Sequence, residues 1–187
     1  MSTHDDLRDI ALNEFAVAGY AGTSLQRIAE IAGLSKSSVL YHFASKEALL
    51  EAAIGPAIDK MDAILDSVEG ALLVDDTRRI FVERFVDFLL ANRLEVHMFI
   101  NQGPGLEDVP VIDRANALVV KLGDFFSSSV SSVEDKLRFG IALGGAAYVL
   151  SVKQDDSLEA LPIDEVRAAL ITIVSELLAP VSVRSKE

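Results

Sequence analysis

Two short helical patterns, separated by only a few residues, lie between Ser24 and Leu50. Apolar residues at positions 25, 28, 29 and 32 share one helix face, and a second apolar set follows at positions 39, 40 and 43. Gly33 stands between them, where a glycine can adopt the positive φ that ends a helix. Two helices joined by so short a turn predict a helix-turn-helix.

Apolar residues recur with helical spacing through almost all of the 187 residues, and no run alternates convincingly as a strand would. Half of the residues are hydrophobic, and a chain of this length buries roughly 70% of its surface on folding. We therefore predict an all-α fold with about nine helices.

Local signals also predict where several helices begin and end. Thr23 and Gln26 form a capping-box pattern at the start of the second helix, and serines at positions 35 and 45 are predicted to cap the third and fourth. The fourth helix pattern covers residues 46–68. Gly55-Pro56 is predicted to kink or break it, because proline lacks an amide hydrogen and clashes with the preceding turn.

The composition excludes several kinds of site. No cysteine is present, and the three histidines are far apart in sequence, so we expect no disulfide, no metal site and no cofactor. The N-terminus lacks the apolar segment of a secretory signal. The longest uncharged stretch, residues 139–152, is too short to cross a bilayer. The sequence thus predicts a cytoplasmic protein with no membrane contact.

The charge is distributed unevenly. The net charge of −12 argues against non-specific binding to polyanions. Between Thr23 and Lys46, however, three basic residues stand against one acidic residue. If any part of the chain meets a polyanion, it is this stretch.

The outward side of the third helix carries hydrogen-bond donors. Its side chains are a cation, two short hydroxyls and two amphipathic rings, and this set suits phosphate oxygens and the edges of bases in the major groove. They are Lys36, Ser37, Ser38, Tyr41 and His42. Lys46 follows in the first turn of the fourth helix, where it can reach a phosphate. A helix-turn-helix also occurs in proteins that do not bind DNA, and His42 has an alternative role as a packing or capping residue.

The segment from Thr23 to Leu50 resembles the DNA-binding segment of TetR-type transcriptional regulators. The matching residues are Thr23, AEIAGLS at 29–35, YHF at 41–43 and KEALL at 46–50. The family often has Gly at the position of Ser37 and Tyr at that of Leu40, so Leu40 is left out of the predicted contacts. The resemblance implicates nine residues in binding DNA: Thr23, Gln26, Ser35, Lys36, Ser37, Ser38, Tyr41, His42 and Lys46.

The resemblance also implies how the whole chain is organised. It predicts a DNA-binding domain at residues 1–46 and a larger helical ligand-binding and dimerisation domain at residues 47–187. The expected function is that of a regulator, most simply a repressor, that binds a palindromic double-stranded DNA operator as a homodimer. A small, mostly apolar effector would release it from DNA.

Seven of the nine phenylalanines fall between Phe81 and Phe139, and a few polar residues lie among them. Apolar walls with a few polar groups are typical of a ligand pocket, and the resemblance places the family's cavity here. Ordinary core packing is the alternative. The candidate ligand-binding residues are Phe85, Phe88, His97, Asn101, Phe125 and Tyr148.

The last two helical patterns suggest an interface. Small residues at positions 140, 144 and 147 allow another backbone to approach, and the final helix carries an apolar seam. Packing within one subunit would explain both features, but the resemblance favours a four-helix dimer interface. The candidate interface residues are Gly140, Gly144, Ala147, Val166, Leu170, Ile173 and Leu177.

Other functions leave different signatures. An enzyme would need a nucleophile with a base, a metal cluster or a phosphate-binding glycine loop, and the sequence shows none of these motifs. We therefore do not expect an enzyme. A helical interaction module without operator binding and a transcriptional activator of the same fold remain alternatives.

Overall fold

A computed structural model describes residues 3–68, 75–106, 109–129, 132–151 and 161–181. Within these ranges the chain forms nine helices and no strand, which confirms the predicted all-α fold. None of the described helices is long and apolar enough to cross a membrane.

The described helices occur in the following order along the chain. The first four are α1 (Thr3–Ala18), α2 (Leu25–Ile31), α3 (Lys36–His42) and α4 (Lys46–Asp66). Then come α5 (Asp75–Ala91), α6 (Arg93–Gln102) with a 3₁₀ turn at Gly103–Gly105, and α7 (Pro110–Ser129). The eighth helix, α8, has three consecutive parts, and its middle part is π-helical: Val133–Phe139, Gly140–Gly144 and Gly145–Ser151. The last helix is α9 (Ile163–Leu178).

The chain divides into two compact units. The first consists of residues 1–59 and 94–116, and the second of residues 60–93 and 117–187. A domain boundary after residue 46 stays a prediction from the sequence. That position is where α4 begins, and α4 contributes residues to both units.

The core of the first unit is built from the faces that the helical spacing predicts. In α1, Leu7, Ala11 and Phe15 are fully buried, whereas Ala18, which was predicted on the same face, is exposed. The other helices of this unit contribute further fully buried side chains: Ile28, Ala29, Val39, Leu49, Leu50 and Met98. The packing of α1 to α4 around one core fixes the orientation of α3.

The helix ends follow local chemistry with one correction. Gly19 and Gly33 have φ values of 82° and 67°, a region that favours glycine, and they follow α1 and α2. Ser35 and Ser45 cap α3 and α4, since their Oγ atoms accept hydrogen bonds from the amides of residues 38 and 48, each at 3.1 Å. The capping box predicted at Thr23 is wrong, because α2 is capped one residue later.

At Gly55-Pro56 a kink or a break was predicted; α4 does not break there, because it remains helical from Lys46 to Asp66 with Pro56 inside it, and a kink stays a prediction. Ile54 and Ala57, on either side of the proline, are buried. Burial of this apolar face offsets the loss of one backbone hydrogen bond. Arg114 also forms ion pairs with Glu51 and Asp59, one on each side of the proline.

The second unit is organised around α5. Phe81 and Phe85 are buried and stack on each other with ring centroids 5.8 Å apart. The guanidinium of Arg167 in α9 donates two hydrogen bonds to Asp87 of α5, at 2.5 and 2.9 Å. Buried residues of α8, among them Phe139 and Leu143, complete the core. The outward sides of α8 and α9 are thereby fixed in place.

Candidate nucleic-acid interface

Two small apolar residues hold α2 and α3 together. Ala29 in α2 and Val39 in α3 are both completely buried. The amide of Leu34 donates to the Ala29 carbonyl oxygen at 2.8 Å, which closes the corner around Gly33. A larger side chain at position 29 would separate the helices. The inner side of α3 is thus committed to packing, and its other side faces away from the core.

The outer side of α3 presents the predicted donors. Lys36 and Ser37 are exposed, and Tyr41 is 86% exposed, which is exceptional for an aromatic residue. Ser38 and His42 are half-buried. Four of the predicted residues line one open depression, together with Thr3 and Leu34: Ser37, Ser38, Tyr41 and His42. The structure therefore brings most of the predicted contact set onto one surface.

The serines at the start of α3 form a hydrogen-bonded cluster. The Oγ atom of Ser35 lies 2.8 Å from the Oγ atoms of both Ser37 and Ser38. It also accepts the hydrogen bond of the Ser38 amide. Ser35 is therefore engaged as a cap, whereas Ser37 and Ser38 retain hydrogen-bonding capacity toward solvent.

His42 packs toward α1. Its ring lies 6.3 Å from that of His4 in an edge-on arrangement and 5.4 Å from that of Tyr41. His4 in turn lies against Phe43, with ring centroids 4.4 Å apart. This favours the packing role that was an alternative for His42. No local pattern points to His4, because His42 and Phe43 are nearly forty residues away along the chain.

Lys46 lies against an aromatic ring at the start of α4. Its Nζ atom is 4.1 Å from the ring centroid of Tyr20. The Tyr20 hydroxyl donates to Glu47 Oε1 at 3.2 Å. Burial lowers the pKa of Lys46, and the neighbouring Glu47 opposes that shift. Tyr20 was not among the predicted residues, because it comes 26 residues before Lys46 and no spacing rule connects the two.

Thr23 does not belong to the exposed surface. It is 2% exposed, and its hydroxyl lies 2.8 Å from the Gly19 carbonyl oxygen and 3.2 Å from that of Glu14. A side chain buried in this way cannot reach a phosphate. Ser24 caps α2 instead, and its Oγ atom accepts from the Arg27 amide at 3.1 Å.

Gln26 is exposed, as a contact residue must be, but it is engaged within α2. Its Nε2 atom donates to Glu30 Oε1 at 3.0 Å. Arg27 is also exposed and forms an ion pair of 3.3 Å with Glu14. A phosphate contact by either side chain would have to replace these partners.

The six predicted ligand-binding residues do not come together within either unit. Phe85 is buried and Phe88 half-buried in the second unit, whereas His97 and Asn101 belong to the first. The side-chain amide of Asn101 donates a hydrogen bond to the backbone carbonyl oxygen of His97 in the same helix, at 3.0 Å. The side chain of Phe125 lies outside the described residues. Tyr148 is exposed on α8.

Tyr148 shares α8 with several other exposed apolar side chains. Ile141 is 61% exposed, and Val133 and Leu137 are comparably open. In the described part of the chain, a Cβ atom added at Gly140 or Gly144 would meet no atom within 4 Å. Gly140 and Gly144 are therefore not covered by any of the described residues.

The apolar side of α9 is likewise open. Ile173, which was predicted to lie in the interface, is exposed, and so is Ile163 at the start of the helix. The other predicted interface residues of α9 are half-buried, as is Ala147 of α8. They are Val166, Leu170 and Leu177. We call the outward residues of these two helices the α8–α9 face: Val133, Leu137, Gly140, Ile141, Gly144, Tyr148, Ile163 and Ile173. Leu137 and Ile141 were missed, although they follow the same helical spacing.

Known proteins resemble this chain in sequence and in fold. A family model described as bacterial regulatory proteins, tetR family, matches residues 7–53. The transcriptional regulator RutR of Escherichia coli (strain K12) is 32% identical over 119 residues, which cover 58% of this chain and 56% of RutR. The biofilm operon negative transcriptional regulator IcaR of Staphylococcus aureus (strain Newman) is 34% identical over 61 residues, a third of each chain. The chain thus spans little more than half the length of the first of these relatives.

The solved structure of the ketosteroid transcriptional regulator KstR2 of Mycobacterium tuberculosis has the same fold. It aligns with a TM-score of 0.75 over 98% of this chain and 96% of its own, at 15% identity. The fold and the outward side of α3 define an all-helical protein with an amino-terminal helix-turn-helix. Its amino-terminal segment thus matches the tetR family of bacterial regulatory proteins, and its overall fold is the fold of KstR2.

Proposed function

We propose that this protein is a ligand-responsive transcriptional repressor that binds a palindromic operator as a homodimer. One observation carries the proposal. The inner side of α3 is completely buried at Val39, while its outer side presents Lys36, Ser37 and the strongly exposed Tyr41. A helix fixed in this way can lay its donors against base edges and phosphates without rearranging.

The charges of this surface support phosphate contact. Lys36 in α3 and Lys46 at the start of α4 provide two cations in a chain whose net charge is −12. Neutralised phosphates release counterions, so affinity that depends on these lysines falls as salt rises. The acidic remainder of the chain suppresses binding elsewhere. The surface therefore favours a defined site over non-specific association.

The α8–α9 face supports the dimer. It is apolar and open in the single chain, and such a face needs a cover in water. The glycines at positions 140 and 144 let another helix approach α8 closely. A second copy of the same face is therefore the partner that fits it. A two-fold dimer would also double the contact made by one short recognition helix and explain the symmetry of the proposed operator.

Repression and effector binding are proposed from the family. IcaR is named a negative transcriptional regulator, and KstR2 a ketosteroid transcriptional regulator. Phe85 and Phe88 of the second unit are the candidates for lining a mostly apolar site, in a protein that we propose to be cytoplasmic. Coupling between effector and DNA typically amounts to about 5- to 150-fold in affinity.

Selection of duplexes from a randomised pool by the purified protein tests the DNA-binding part. We expect an enriched sequence with two inverted half-sites whose centres are about 34–36 Å apart or a multiple of the helical turn. The matched control is the Tyr41→Ala, Lys46→Ala double variant, which should enrich nothing. Enrichment by neither protein would favour a helical interaction module.

A reporter gene placed behind the selected sequence then distinguishes repression from activation. A repressor lowers expression of the reporter, and an activator raises it.

A further inference from the structure

Tyr20 is held firmly in the connection between α1 and α2. It is 9% exposed, and its ring packs against Phe15 with centroids 5.3 Å apart. Its amide donates to Gln102 Oε1 at 2.7 Å, and Gln102 Nε2 donates to the Phe15 carbonyl oxygen at 2.6 Å. Both the backbone and the ring of Tyr20 are therefore fixed by the first unit.

The same side chain contacts the two first residues of α4 in different ways. The face of its ring supports the ammonium group of Lys46 at 4.1 Å, and its hydroxyl binds the carboxylate of Glu47 at 3.2 Å. A cation over an aromatic face is attracted by the negative charge of the ring face. Burial, followed by the Glu47 carboxylate, raises the pKa of Tyr20 to about 12. Tyr20 thus stays a neutral donor at physiological pH.

A free lysine side chain loses rotamer freedom when it binds a phosphate, and that loss reduces affinity. A ring that already holds the ammonium group removes part of this cost. We propose that Tyr20 is a positioning residue for Lys46, holding its ammonium group where a DNA phosphate oxygen arrives. The proposal rests on the proposed DNA-binding function and adds to it a residue that never touches DNA.

A double-mutant cycle tests the proposal on the duplex selected from the randomised pool. Tyr20→Leu removes the ring, whereas Tyr20→Phe keeps the ring and loses only the hydroxyl. Each is made with Lys46 intact and in the Lys46→Ala background. With Lys46 present, we expect Tyr20→Leu to weaken binding about two- to fivefold, the size of a partly exposed cation–π contact, and Tyr20→Phe to stay close to the parent. In the Lys46→Ala background, Tyr20→Leu should change nothing further.

The other outcomes overturn the proposal in distinguishable ways. An equal loss of affinity for Tyr20→Leu in both backgrounds would show that Tyr20 acts through the stability of the fold. Thermal unfolding of the same samples would then show a lowered melting temperature. A gain in affinity would show that the ring competes with phosphate for the ammonium group. If the unaltered protein binds no duplex, or binds with no dependence on salt, the proposed function itself fails.

Discussion

Each lysine and hydroxyl at the helix-turn-helix has a local environment that predicts its contribution to binding. We expect Lys46 to contact a phosphate rather than a base, because it lies in α4 and not on the outward side of α3. Replacement by alanine should weaken binding to all duplexes alike and lower the slope of log affinity against log salt by about one. Fluorescence anisotropy titrations at several salt concentrations measure this slope.

The control for charge alone is Arg79→Ala, since Arg79 is exposed on α5 and pairs with Glu83. It removes the same charge and should leave the slope unchanged.

Tyr41→Ala should weaken binding to the selected duplex more than to a random one. Equal losses on both duplexes would reassign Tyr41 to the backbone of DNA.

Thr23 shows how a polar residue of a binding motif can serve the fold. Its hydroxyl is buried among carbonyl oxygens of the α1 end. Thr23→Val keeps the volume and removes the donor, so we expect a loss of about 0.5–1.5 kcal/mol in the free energy of unfolding, measured by urea denaturation. Affinity of the folded protein for DNA should be unchanged. A stable Thr23→Val variant with weakened DNA binding would return Thr23 to the contact list.

At the scale of helices, the ion pair between α5 and α9 predicts a dependence on pH. Hydrogen bonds from Arg167 lower the pKa of Asp87, so this pair stabilises the fold above the ordinary carboxyl pKa. The contribution is lost as pH falls through the lowered pKa of the folded state. Because both side chains are largely exposed, Asp87→Asn should cost only about 0.2–1 kcal/mol at neutral pH. Urea denaturation at neutral and strongly acidic pH checks this, and a cost that persists in acid would contradict it.

The helices themselves could be predicted wherever their signals are local. Most of the inward sides of α1 to α3 follow from the spacing of apolar residues, and two serine caps follow from residue type. Leu40 is a correction, because it was predicted in the apolar set of α3 and is 41% exposed. Thr23 and Ser24 each carry a hydroxyl group that could cap α2. Thr23 is buried against α1, and Ser24 is therefore the residue that caps the helix. Pro56 predicts a kink or a break in α4, and the helix nevertheless continues through it, because packing outweighs a local preference there.

The contacts of the candidate site were harder to predict, because they join distant parts of the chain. Tyr20 and Lys46 are separated by a whole helix-turn-helix, and no spacing rule connects them. The ligand-binding candidates came from composition, and their helices belong to different units. The open α8–α9 face was predictable in part, since small and apolar residues at helical spacing mark one side of a helix even before its neighbours are known.

At the scale of the molecule, the α8–α9 face predicts the oligomeric state. A Cβ atom at Gly144 would meet no atom of the described residues within 4 Å, so we expect Gly144→Leu to fold normally. In a two-fold dimer the added side chain would clash with the partner, typically at a cost of about 1–3 kcal/mol. We therefore expect dissociation toward monomer and a loss of affinity for the selected duplex, with helix content kept.

Gly123→Leu supplies the matched control for this prediction. Gly123 is exposed on α7, and a Cβ atom there would likewise meet no atom of the described residues within 4 Å. It lies off the α8–α9 face, so this variant should remain as dimeric as the parent. Sedimentation velocity over a range of concentrations compares the three proteins, and circular dichroism confirms their helix content. A Gly144→Leu protein that stays a tight dimer and binds the duplex normally would place the dimer interface elsewhere on the molecule.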